Sequence, residues 1–497
     1  MTKQEILTLT SFGKRVAEEE GEELSAYFVE TDQWKRVFSG EVDVIYGPKG
    51  SGKSAIYSLI VDRKAELLTR GITVVPAENP RGAAAFKELI ADPPTGEHEF
   101  RALWRIYFIS LIGEVLRESF SSDKSAQSVV SVLEDANLLP RDSSLSSRLK
   151  AVRDYVRRFA NPEGIEAGIK LNPATGLMEG LTGKITLSEP SAAEREVGLI
   201  SVDTLFHRAN DALRDANRRI WLIFDRLDVT FADSPELEKN ALRALFRVYL
   251  DLVPDNRISL KIFLRNDIWK RIMTEAFPEA SHITRTIDIS WTKNSLLNLV
   301  VRRLLHNGVI IDSYKLDAQQ MLSNTAMQVS LFYRLFPAKI DPGPNKPVTL
   351  DWILSRTSDG TRESAPREII HLLSSARDMQ LKAMEIGAPE PPGDLLLDRS
   401  AFKDALPTVS KARFEQTLCA EYPQYKEILQ KLSKAKTTQT PQTLAKIWAV
   451  TEDEALKTAN SLSEIGFFER RGTLQNPFFW VPFLYRSALS MIQGSAK

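Results

Sequence analysis

The chain has 497 residues, which at roughly 150 residues per domain is enough for about three domains with substantial hydrophobic cores. Hydrophobic residues make up 43% of the sequence and charged residues 26%, a composition that excludes a wholly disordered protein. The 65 basic and 65 acidic residues cancel, so a surface that binds nucleic acid would have to be a local patch on a neutral body.

The single cysteine, Cys419, cannot form an internal disulfide. The first ten residues, MTKQEILTLT, lack the basic and then apolar plan of a secretory signal, so we expect a cytoplasmic protein. No stretch approaches the roughly 18 uninterrupted apolar residues that a membrane helix needs, and a membrane role would therefore require a partner.

Residues 42–60, VDVIYGPKGSGKSAIYSLI, join a predicted buried strand to a predicted helix through a glycine-rich loop. The spacing G-x-x-x-x-G-K-S is that of the phosphate-binding P-loop, or Walker A motif. Its glycines allow successive backbone N–H groups to turn towards phosphate oxygens, and the following helix directs the positive end of its dipole at the same anion. Lys53 is predicted to reach the β- and γ-phosphates of a nucleotide, and Ser54 to bind Mg²⁺.

The predicted nucleotide-binding residues are Gly47, Pro48, Lys49, Gly50, Ser51, Gly52, Lys53, Ser54 and Ala55. A glycine-rich hairpin with an accidental lysine is the alternative, and the strand and helix predicted on either side disfavour it. We therefore predict nucleotide binding with ATP and Mg²⁺ as the ligands, although the motif does not distinguish ATP from GTP.

An insertion at about 120–200 is predicted, because the P-loop and the next motif, at 218–228, are farther apart than a few strand and helix units require. Within it, residues 144–160 have the pattern of a basic amphipathic helix, and residues 164–171 and 183–188 alternate at period two, which predicts a hairpin. The basic residues of the helix are Arg148, Lys150, Arg153, Arg157 and Arg158. They form either a solvated face, which we favour, or a grip on a phosphate backbone; a protein-contact element is a further alternative.

Residues 218–228, RRIWLIFDRLD, contain an unbroken apolar run that predicts a strand covered on both faces, as in a parallel sheet. Asp225 ends this run and is predicted to be the Walker B carboxylate, which binds Mg²⁺ together with Ser54. A strand-capping aspartate is the alternative. Many ATPases place a glutamate at the next position, where this chain has Arg226. Asp228 is therefore the candidate general base or water-positioning residue, with a turn or a salt bridge to Arg226 as the alternative.

Residues 258–269, ISLKIFLRNDIW, alternate into an apolar run and predict a third strand. The run ends in three polar residues, Arg265, Asn266 and Asp267. These residues belong either to the nucleotide site or to an ordinary charged surface loop.

Two predicted helices follow the third strand. Residues 290–305, SWTKNSLLNLVVRRLL, have apolar positions at helical spacing and predict the first helix of a lid. After an irregular, proline-rich connection at 341–347, residues 364–376 predict a second helix with Arg367 in its first turn. The helical spacing of apolar residues is thus interrupted between the two predicted helices.

The C-terminal segment follows the linker PEPPGD at 389–394. Thr451 and Glu454 form a predicted capping box, and short strands are predicted at 467–468 and 479–481. Helix, turn, helix and β-wing favour a winged-helix domain. Its second helix begins with three carboxylates, which face DNA phosphates unfavourably, so a regulatory or protein-contact role is favoured over DNA binding.

Four segments resemble a bacterial family of mostly uncharacterised P-loop ATPases within the broader STAND and AAA+-like ATPases. They are SFGKRVAEEEGEELSAYFVETDQWKRVFSG, YGPKGSGKSAIY, LWRIYFISLI and IFDRLD, and the resemblance covers residues 12 to about 380. It implies an α/β fold: a P-loop NTPase parallel sheet of the additional-strand type with a helical lid. Related STAND-like ATPases in bacteria often serve as regulated switches, several of them in defence against phage, although a fold does not fix a function.

The same resemblance implies roles for residues outside the P-loop. In such ATPases a strand between the Walker A and Walker B strands ends in a γ-phosphate sensor, which here is Arg265 or Asn266. An arginine after a proline in the lid reaches back to the γ-phosphate, and Arg367 holds this sensor 2 position; an exposed helix arginine is the alternative. The pattern Asp-x-Leu-Asp resembles the Walker B motif of STAND, NACHT and KAP ATPases. The predicted catalytic residues are Lys53, Asp225, Asp228, Arg265 and Arg367.

The expected organisation is an N-terminal extension at 1–40, a P-loop NTPase core at 41–290, a helical lid at 291–390 and a winged-helix-like domain at 395–497. The predicted function is an ATP-binding, Mg²⁺-dependent ATP-hydrolysing molecular switch. The alternative is a nucleotide-gated scaffold or DNA-binding regulator with little turnover. Expected partners are further copies of the chain, in a homo-oligomer, or a separate effector protein; nucleic acid is an open alternative that is not favoured.

Overall fold

The computed structural model describes residues 1–21, 23–77, 96–140, 144–160, 170–171, 178–179, 185–187, 189–196, 198–225, 235–255, 257–274 and 277–496. The chain divides into two compact units. The first, which we call the P-loop unit, comprises residues 1–35, 47–55 and 289–497. The second, the sheet unit, comprises residues 36–46 and 56–288.

The strands are β1 (Val44–Gly47), β2 (Ile72–Pro76), β3 (Lys170–Leu171), β4 (Met178–Glu179), β5 (Ile185–Thr186), β6 (Ile200–Ser201), β7 (Arg219–Phe224), β8 (Ile258–Arg265), β9 (Thr286–Asp288), β10 (Lys436–Gln439), β11 (Glu469–Gly472), β12 (Pro477–Trp480) and β13 (Ile492–Ser495).

The helices up to the end of the sheet unit are α1 (Lys3–Leu9), α2 (Glu23–Tyr27), α3 (Asp32–Ser39), α4 (Lys53–Asp62), α5 (Lys64–Thr69), α6 (Glu97–Ser119), α7 (Lys124–Asp135), α8 (Leu145–Ala160), α9 (Ala192–Glu196), α10 (Val202–Asp215), α11 (Pro235–Leu252) and α12 (Asn266–Thr274). Those that follow are α13 (Lys293–Leu305), α14 (Gly308–Tyr314), α15 (Ala318–Leu322), α16 (Thr325–Leu335), α17 (Thr349–Thr357), α18 (Pro366–Glu385), α19 (Arg399–Arg413), α20 (Lys426–Gln430), α21 (Pro441–Trp448), α22 (Glu452–Glu464) and α23 (Phe483–Arg486). A π-helix, Phe414–Cys419, continues α19. None of these described helices is long and apolar enough to cross a membrane.

The sheet unit is built on a five-stranded sheet in the order β2-β7-β8-β1-β9. The pairs β2–β7, β7–β8 and β1–β9 are parallel. The apolar run of β7 is buried on both faces, as its sequence predicts. The predicted third strand is β8, and it lies between β1, which precedes the P-loop, and β7, which precedes Asp225. The α/β fold with a P-loop NTPase parallel sheet of the additional-strand type is therefore confirmed.

Helix α6 forms the centre of the sheet unit's core. Between Phe100 and Leu116 every residue except Arg101, Arg105 and Glu114 is buried, which is typical of a helix enclosed by other elements. The helix packs against α7, α8, α10 and α11. The indole N–H of Trp104 donates to the carbonyl of Ala241 at 2.8 Å, and the hydroxyl of Tyr107 donates to that of Ala77 at 2.8 Å. The polar atoms of these buried rings are thus satisfied, which allows the helix to be enclosed without an unpaired donor.

A buried ion pair holds β1, the strand that continues into the P-loop, against β8. Lys261 on β8 is fully buried, and its ammonium lies 2.7 Å from the carboxylate of Asp43, which directly precedes β1. Arg285 approaches the same carboxylate at 2.8 Å, and Tyr249 donates to it at 3.3 Å. Burial lowers the pKa of Lys261, and Asp43 acts in the opposite direction. Removing Asp43 would leave the fully buried ammonium of Lys261 without a carboxylate, so this pair fixes the position of β1.

One prediction for the insertion is wrong, and another is wrong at a single residue. Strand β3 pairs with β4 in an antiparallel hairpin, whereas β5 pairs with β6 in parallel, so residues 164–171 and 183–188 do not form one hairpin in their described parts. Helix α8 does form over the predicted basic segment, but Arg148 is buried and its guanidinium lies 2.7 Å from Glu114 on α6. Arg148 therefore belongs to the core and cannot grip a phosphate backbone.

The P-loop unit holds the predicted lid helices, α13 and α18, and the C-terminal segment, which share one hydrophobic core. The predicted capping box is confirmed: the hydroxyl of Thr451 accepts from the backbone N–H of Glu454 at 3.3 Å. Helices α21 and α22 are followed by the hairpin β11–β12, within a sheet of order β11-β12-β10-β13. Phe467 and Phe468 are buried just before β11 rather than within it. This order of elements is the one expected of a winged helix, and assignment to that class stays a prediction.

Candidate nucleotide-binding site

The P-loop has the backbone geometry that its glycines predict. Strand β1 ends at Gly47 and α4 begins at Lys53. Gly50 and Gly52 adopt left-handed φ angles of +83° and +99°, which residues with a Cβ rarely tolerate. A Cβ at Gly47 would lie 2.7 Å from the hydroxyl of Ser51, so this position needs a glycine because of close packing. The backbone of the P-loop therefore fits a cradle for phosphate oxygens, and side chains larger than glycine would occupy that space.

The lysine of the motif lies against its own loop. The ammonium of Lys53 donates to the carbonyls of Gly47 at 2.8 Å and Pro48 at 2.9 Å. Ser54 lies beside it in the first turn of α4, and Ala55 is buried in the same turn. The cationic head thus stays within the loop where a phosphate would need it.

A tryptophan supports the loop from the lid side of the P-loop unit. The indole N–H of Trp291 donates to the backbone carbonyl of Ser51 at 2.7 Å, and the Ser51 side chain is buried. Trp291 directly precedes Thr292, the N-cap of α13. Sequence reasoning did not single out Trp291, because a long-range contact from a side chain to a backbone carbonyl has no local pattern.

The first turn of α18 packs on the P-loop. Its N-cap is Ala365, and the Cβ of Arg367 lies 3.0 Å from the position that a Cβ of Gly50 would occupy. A carboxylate oxygen of Glu368 lies 3.3 Å from the same position. Arg367 was predicted from the sequence, and within the P-loop unit it is indeed beside the loop. Gly50 is thus the point at which the lid meets the phosphate cradle.

Glu368 links this turn to the end of α19. The guanidinium of Arg413 lies 3.0 Å from Glu368 and 3.4 Å from Asp359, and none of the three side chains is more than 10% exposed. Burial raises the pKa of the Asp359 carboxyl, and Arg413 only partly offsets this. Burial opposes the charge of Arg413, but Glu368, Tyr485 and Asp359 together raise its pKa. We call these residues the Arg413 cluster: Arg413, Glu368, Asp359 and Tyr485.

The segment that follows α19 also reaches the P-loop. The ammonium of Lys49 forms an ion pair with the carboxylate of Glu421, two residues beyond the π-helix. The side chain of Glu421 is 14% exposed and that of Lys49 34% exposed, so the carboxylate is largely shielded from water while the ammonium is partly exposed. Helical segments with π geometry are frequent at functional sites. Neither partner of this pair was recognised as such from the sequence.

A cavity of about 390 Å³ adjoins the loop within the P-loop unit. Its lining includes Pro48, Ser51, Trp291, Leu296, Leu354 and Ser364. Cavities of 300–1,000 Å³ that combine apolar walls with a few polar groups are typical of small-molecule sites. The cavity can therefore take a flat, partly apolar group next to the phosphate cradle.

The remaining predicted residues lie in the sheet unit. Asp225 directly follows β7 and is buried. Arg265, the last residue of β8, forms a two-pronged ion pair with Asp267, with distances of 3.0 and 2.8 Å. The side-chain oxygen of Asn266 is enclosed and has no hydrogen-bond partner among the described residues. Asp228 lies outside the described residues, so its predicted role stays a prediction.

Comparisons with known proteins add little to this geometry. No family model matches the sequence, and no curated protein matches it. Solved structures of the Aeropyrum pernix ORC2 protein align with this chain at 14% identity. The structure with ADPNP and ADP aligns over 92% of this chain and 92% of that chain, with a TM-score of 0.29. The ADP form aligns over 94% of this chain and 89% of that chain, with a TM-score of 0.30. At these TM-scores the likeness supports no conclusion about this chain.

Proposed function

We propose that the protein is an ATP-binding, Mg²⁺-dependent ATP-hydrolysing switch of the STAND or AAA+ type. The observation that carries the proposal is the set of contacts around the P-loop. One side of the cradle meets the first turn of α18 at Gly50, and another meets the segment after α19 through Lys49 and Glu421. A ligand in the cradle would therefore act on both the lid and the C-terminal segment.

Binding is assigned to the loop and the cavity beside it. The backbone N–H groups of the glycine cradle and the ammonium of Lys53 would hold the phosphates, and the cavity lined by Trp291 would take the base. Ser54 and Asp225 are the proposed ligands of Mg²⁺, since a hydroxyl and a carboxylate suit a hard cation. When bound, Mg²⁺ would neutralise charge on the phosphate oxygens.

Asn266 is a better candidate than Arg265 for the γ-phosphate sensor. Arg265 is already held by Asp267 in a geometry that satisfies two of its donors. Asn266 carries an enclosed side-chain oxygen without a partner among the described residues, and its amide NH₂ group is a donor from which a γ-phosphate oxygen could accept. Arg367 is the proposed sensor 2, and Asp228 the proposed general base. Each of these assignments predicts a larger loss of turnover than of nucleotide affinity on substitution.

The switch is proposed to act through competition for Lys49. A triphosphate brings several negative charges to the cradle, and these compete with Glu421 for the ammonium. Loss of that pair would release the segment after the π-helix. Hydrolysis removes a phosphate group and would restore the pair.

The experiment combines turnover with the mobility of this segment. Phosphate release is measured with ATP and Mg²⁺, nucleotide affinity by titration with a fluorescent analogue, and hydrogen exchange over residues 414–430 with and without ATP. Lys53→Ala should abolish phosphate release and lower affinity about 10- to 150-fold, because it removes charge-assisted hydrogen bonds worth roughly 1.5 to 3 kcal/mol. Glu421→Gln should raise hydrogen exchange in this segment without ATP to the level that the wild type reaches with ATP.

Glu427→Gln is the matched control, because Glu427 lies on nearby α20 with a side chain that is 85% exposed. It should behave as the wild type in all three measurements. Equal phosphate release from Lys53→Ala and the wild type would refute hydrolysis at this site. Hydrogen exchange that responds to ATP without phosphate release would instead support the nucleotide-gated scaffold.

A further inference from the structure

Arginines and aromatic rings alternate in a row across the C-terminal part of the P-loop unit. The row begins on α17, crosses α23 and ends on the hairpin β11–β12. The distances from guanidinium carbon to ring centre are 4.9 Å for Arg356 over Trp352, 4.2 Å for Arg356 over Phe483, 4.0 Å for Arg486 over Phe483, 4.6 Å for Arg486 over Trp480 and 4.1 Å for Arg471 over Trp480. We call the three arginines, Arg356, Arg471 and Arg486, the arginine ladder. Each ring fixes the orientation of the guanidinium above it.

The two outer arginines of the ladder share their carboxylates with other cations. Arg471 donates to Glu469 through Nε at 2.7 Å and through Nη2 at 2.8 Å, and Glu469 also binds Arg362 at 2.6 Å. The carboxylate of Glu469 therefore serves two cations.

At the other end of the ladder, Arg356 lies 3.6 Å from Asp341, which also binds Lys403 at 3.0 Å. Arg471 and Arg356 thus have partners, but each partner carboxylate is paired with two cations. With Arg486 included, five cations share two carboxylates, Asp341 and Glu469, so these groups together carry a local positive excess.

The central arginine has no carboxylate within salt-bridge distance among the described residues. The Nε of Arg486 donates to the carbonyl of Val481 at 2.9 Å, and one terminal nitrogen, Nη2, is enclosed without a hydrogen-bond partner in the same described part of the chain. Burial, followed by the charges of Arg356 and Arg471, lowers the pKa of Arg486 to about 10. Because this value lies well above neutral pH, Arg486 keeps its charge among two like charges.

We infer that the arginine ladder binds a phosphate group. A guanidinium carries five N–H donors, so an arginine that already has a partner keeps donors for a phosphate oxygen, and rings that already hold the guanidinium reduce the entropy lost on binding. The Arg471 side chain is 36% exposed and that of Arg356 17% exposed, so solvent reaches the ladder at both ends. An anion bound there would neutralise the positive charge that the two carboxylates, Asp341 and Glu469, do not balance.

The phosphate could belong to a nucleic-acid backbone or to free inorganic phosphate. The ladder lies on β11, β12, α17 and α23, not on α22, whose acidic first turn disfavours contact with DNA. The inference does not depend on the nucleotide site, since none of the ladder residues belongs to the P-loop or the first turn of α18.

The test uses the full-length protein and two probes. Fluorescence anisotropy of a labelled DNA duplex is measured over a series of salt concentrations, and the thermal unfolding midpoint is measured with increasing inorganic phosphate. Arg471→Gln and Arg486→Gln should each weaken duplex binding about 10-fold and reduce the slope of log affinity against log salt by about one, as expected when one phosphate contact is lost. Phosphate should raise the wild-type midpoint and leave that of both variants unchanged.

Two matched controls remove the same charge from elsewhere on this unit. Arg470→Gln changes the neighbouring residue of β11, which is exposed and points to the opposite face of the strand. Lys457→Gln changes an exposed lysine on α22. Both should bind as the wild type does. Tryptophan fluorescence and circular dichroism verify folding, and Arg471→Gln gives the answer if Arg486→Gln fails to fold.

Each outcome decides between the sources or overturns the inference. Duplex binding that weakens only in the ladder variants supports a nucleic-acid phosphate. A phosphate-dependent midpoint that only the ladder variants lose, without duplex binding, supports free phosphate. The inference is overturned if neither probe binds, or if the controls lose as much affinity as the ladder variants.

Discussion

The buried Arg413 cluster allows a prediction with a definite magnitude. Replacing Arg413 with methionine keeps a long side chain but removes the only charge that balances Glu368 and Asp359 within salt-bridge distance among the described residues. The side chains of these carboxylates are 5% and 10% exposed, so water cannot solvate them in place of the arginine. Breaking a buried pair by removing one partner costs about 3 to 5 kcal/mol. We therefore expect Arg413→Met to lower the free energy of unfolding by an amount in that range.

The pH dependence gives the prediction a second, independent readout. Burial raises the pKa of Asp359 in the folded state even with Arg413 present, and loss of Arg413 will raise it further. A carboxyl whose folded pKa exceeds its unfolded pKa binds more protons when folded, so lowering the pH stabilises the folded variant. The difference in stability between Arg413→Met and the wild type should therefore shrink between about pH 7 and pH 5.

Urea unfolding followed by tryptophan fluorescence measures both effects. Arg399→Met is the matched control, because Arg399 begins the same helix, α19, and is exposed. It should change the free energy of unfolding by less than about 0.5 kcal/mol. Adding Glu368→Gln to Arg413→Met should recover part of the loss, since it removes one of the two stranded charges. A loss below about 1 kcal/mol, or one that neither acid nor Glu368→Gln reduces, would refute the reasoning.

Two further predictions concern the same unit. Gly360→Ala should destabilise the protein by about 1 to 3 kcal/mol, because the new Cβ would lie 2.2 Å from the backbone carbonyl oxygen of Phe468. Gly308→Ala is the control, since its Cβ would have open space around it and should not destabilise the protein. Thermal unfolding of the two variants measures the difference. Burial, and then the charge of Arg15, lowers the pKa of the His371 imidazole to about 4. As the pH drops from about 6.5 to 4, the imidazole therefore gains its proton in the unfolded chain before it does so in the folded protein, and the free energy of unfolding should fall. The full shift corresponds to about 3 kcal/mol, and partial exposure reduces the expectation to roughly 1 to 2 kcal/mol. His371→Gln should lose this part of the acid sensitivity in urea titrations, and equal sensitivity in both proteins would contradict it.

The parts of the fold that could be predicted are those with a local signal. The P-loop spacing, the apolar run before Asp225 and the capping box at Thr451 each depend on neighbours within a few residues, and the structure has each element where it is expected. The placement of β8 between β1 and β7 also followed, though through a family resemblance rather than a local pattern.

What the sequence could not supply were the partners of charged side chains. Arg148 has the same spacing as its basic neighbours on α8, yet it is buried because Glu114, on another helix, reaches it. The pairing of Lys49 with Glu421 and the bond from Trp291 to the P-loop join residues hundreds of positions apart. Periodicity reports which face of a helix is apolar, but it carries no information on which distant charge meets that face.

The ion pair between Lys49 and Glu421 and the binding of nucleotide are linked thermodynamically, whichever of the two changes first. If a nucleotide weakens the pair between Lys49 and Glu421 by some factor, then weakening that pair by mutation must strengthen nucleotide binding by the same factor. Glu421→Gln should therefore bind nucleotide more tightly than the wild type, even though Glu421 is proposed to touch no part of the ligand. A variant that frees the segment without tightening nucleotide binding would show that the pair is structural, because a contact coupled to the ligand cannot change on one side alone.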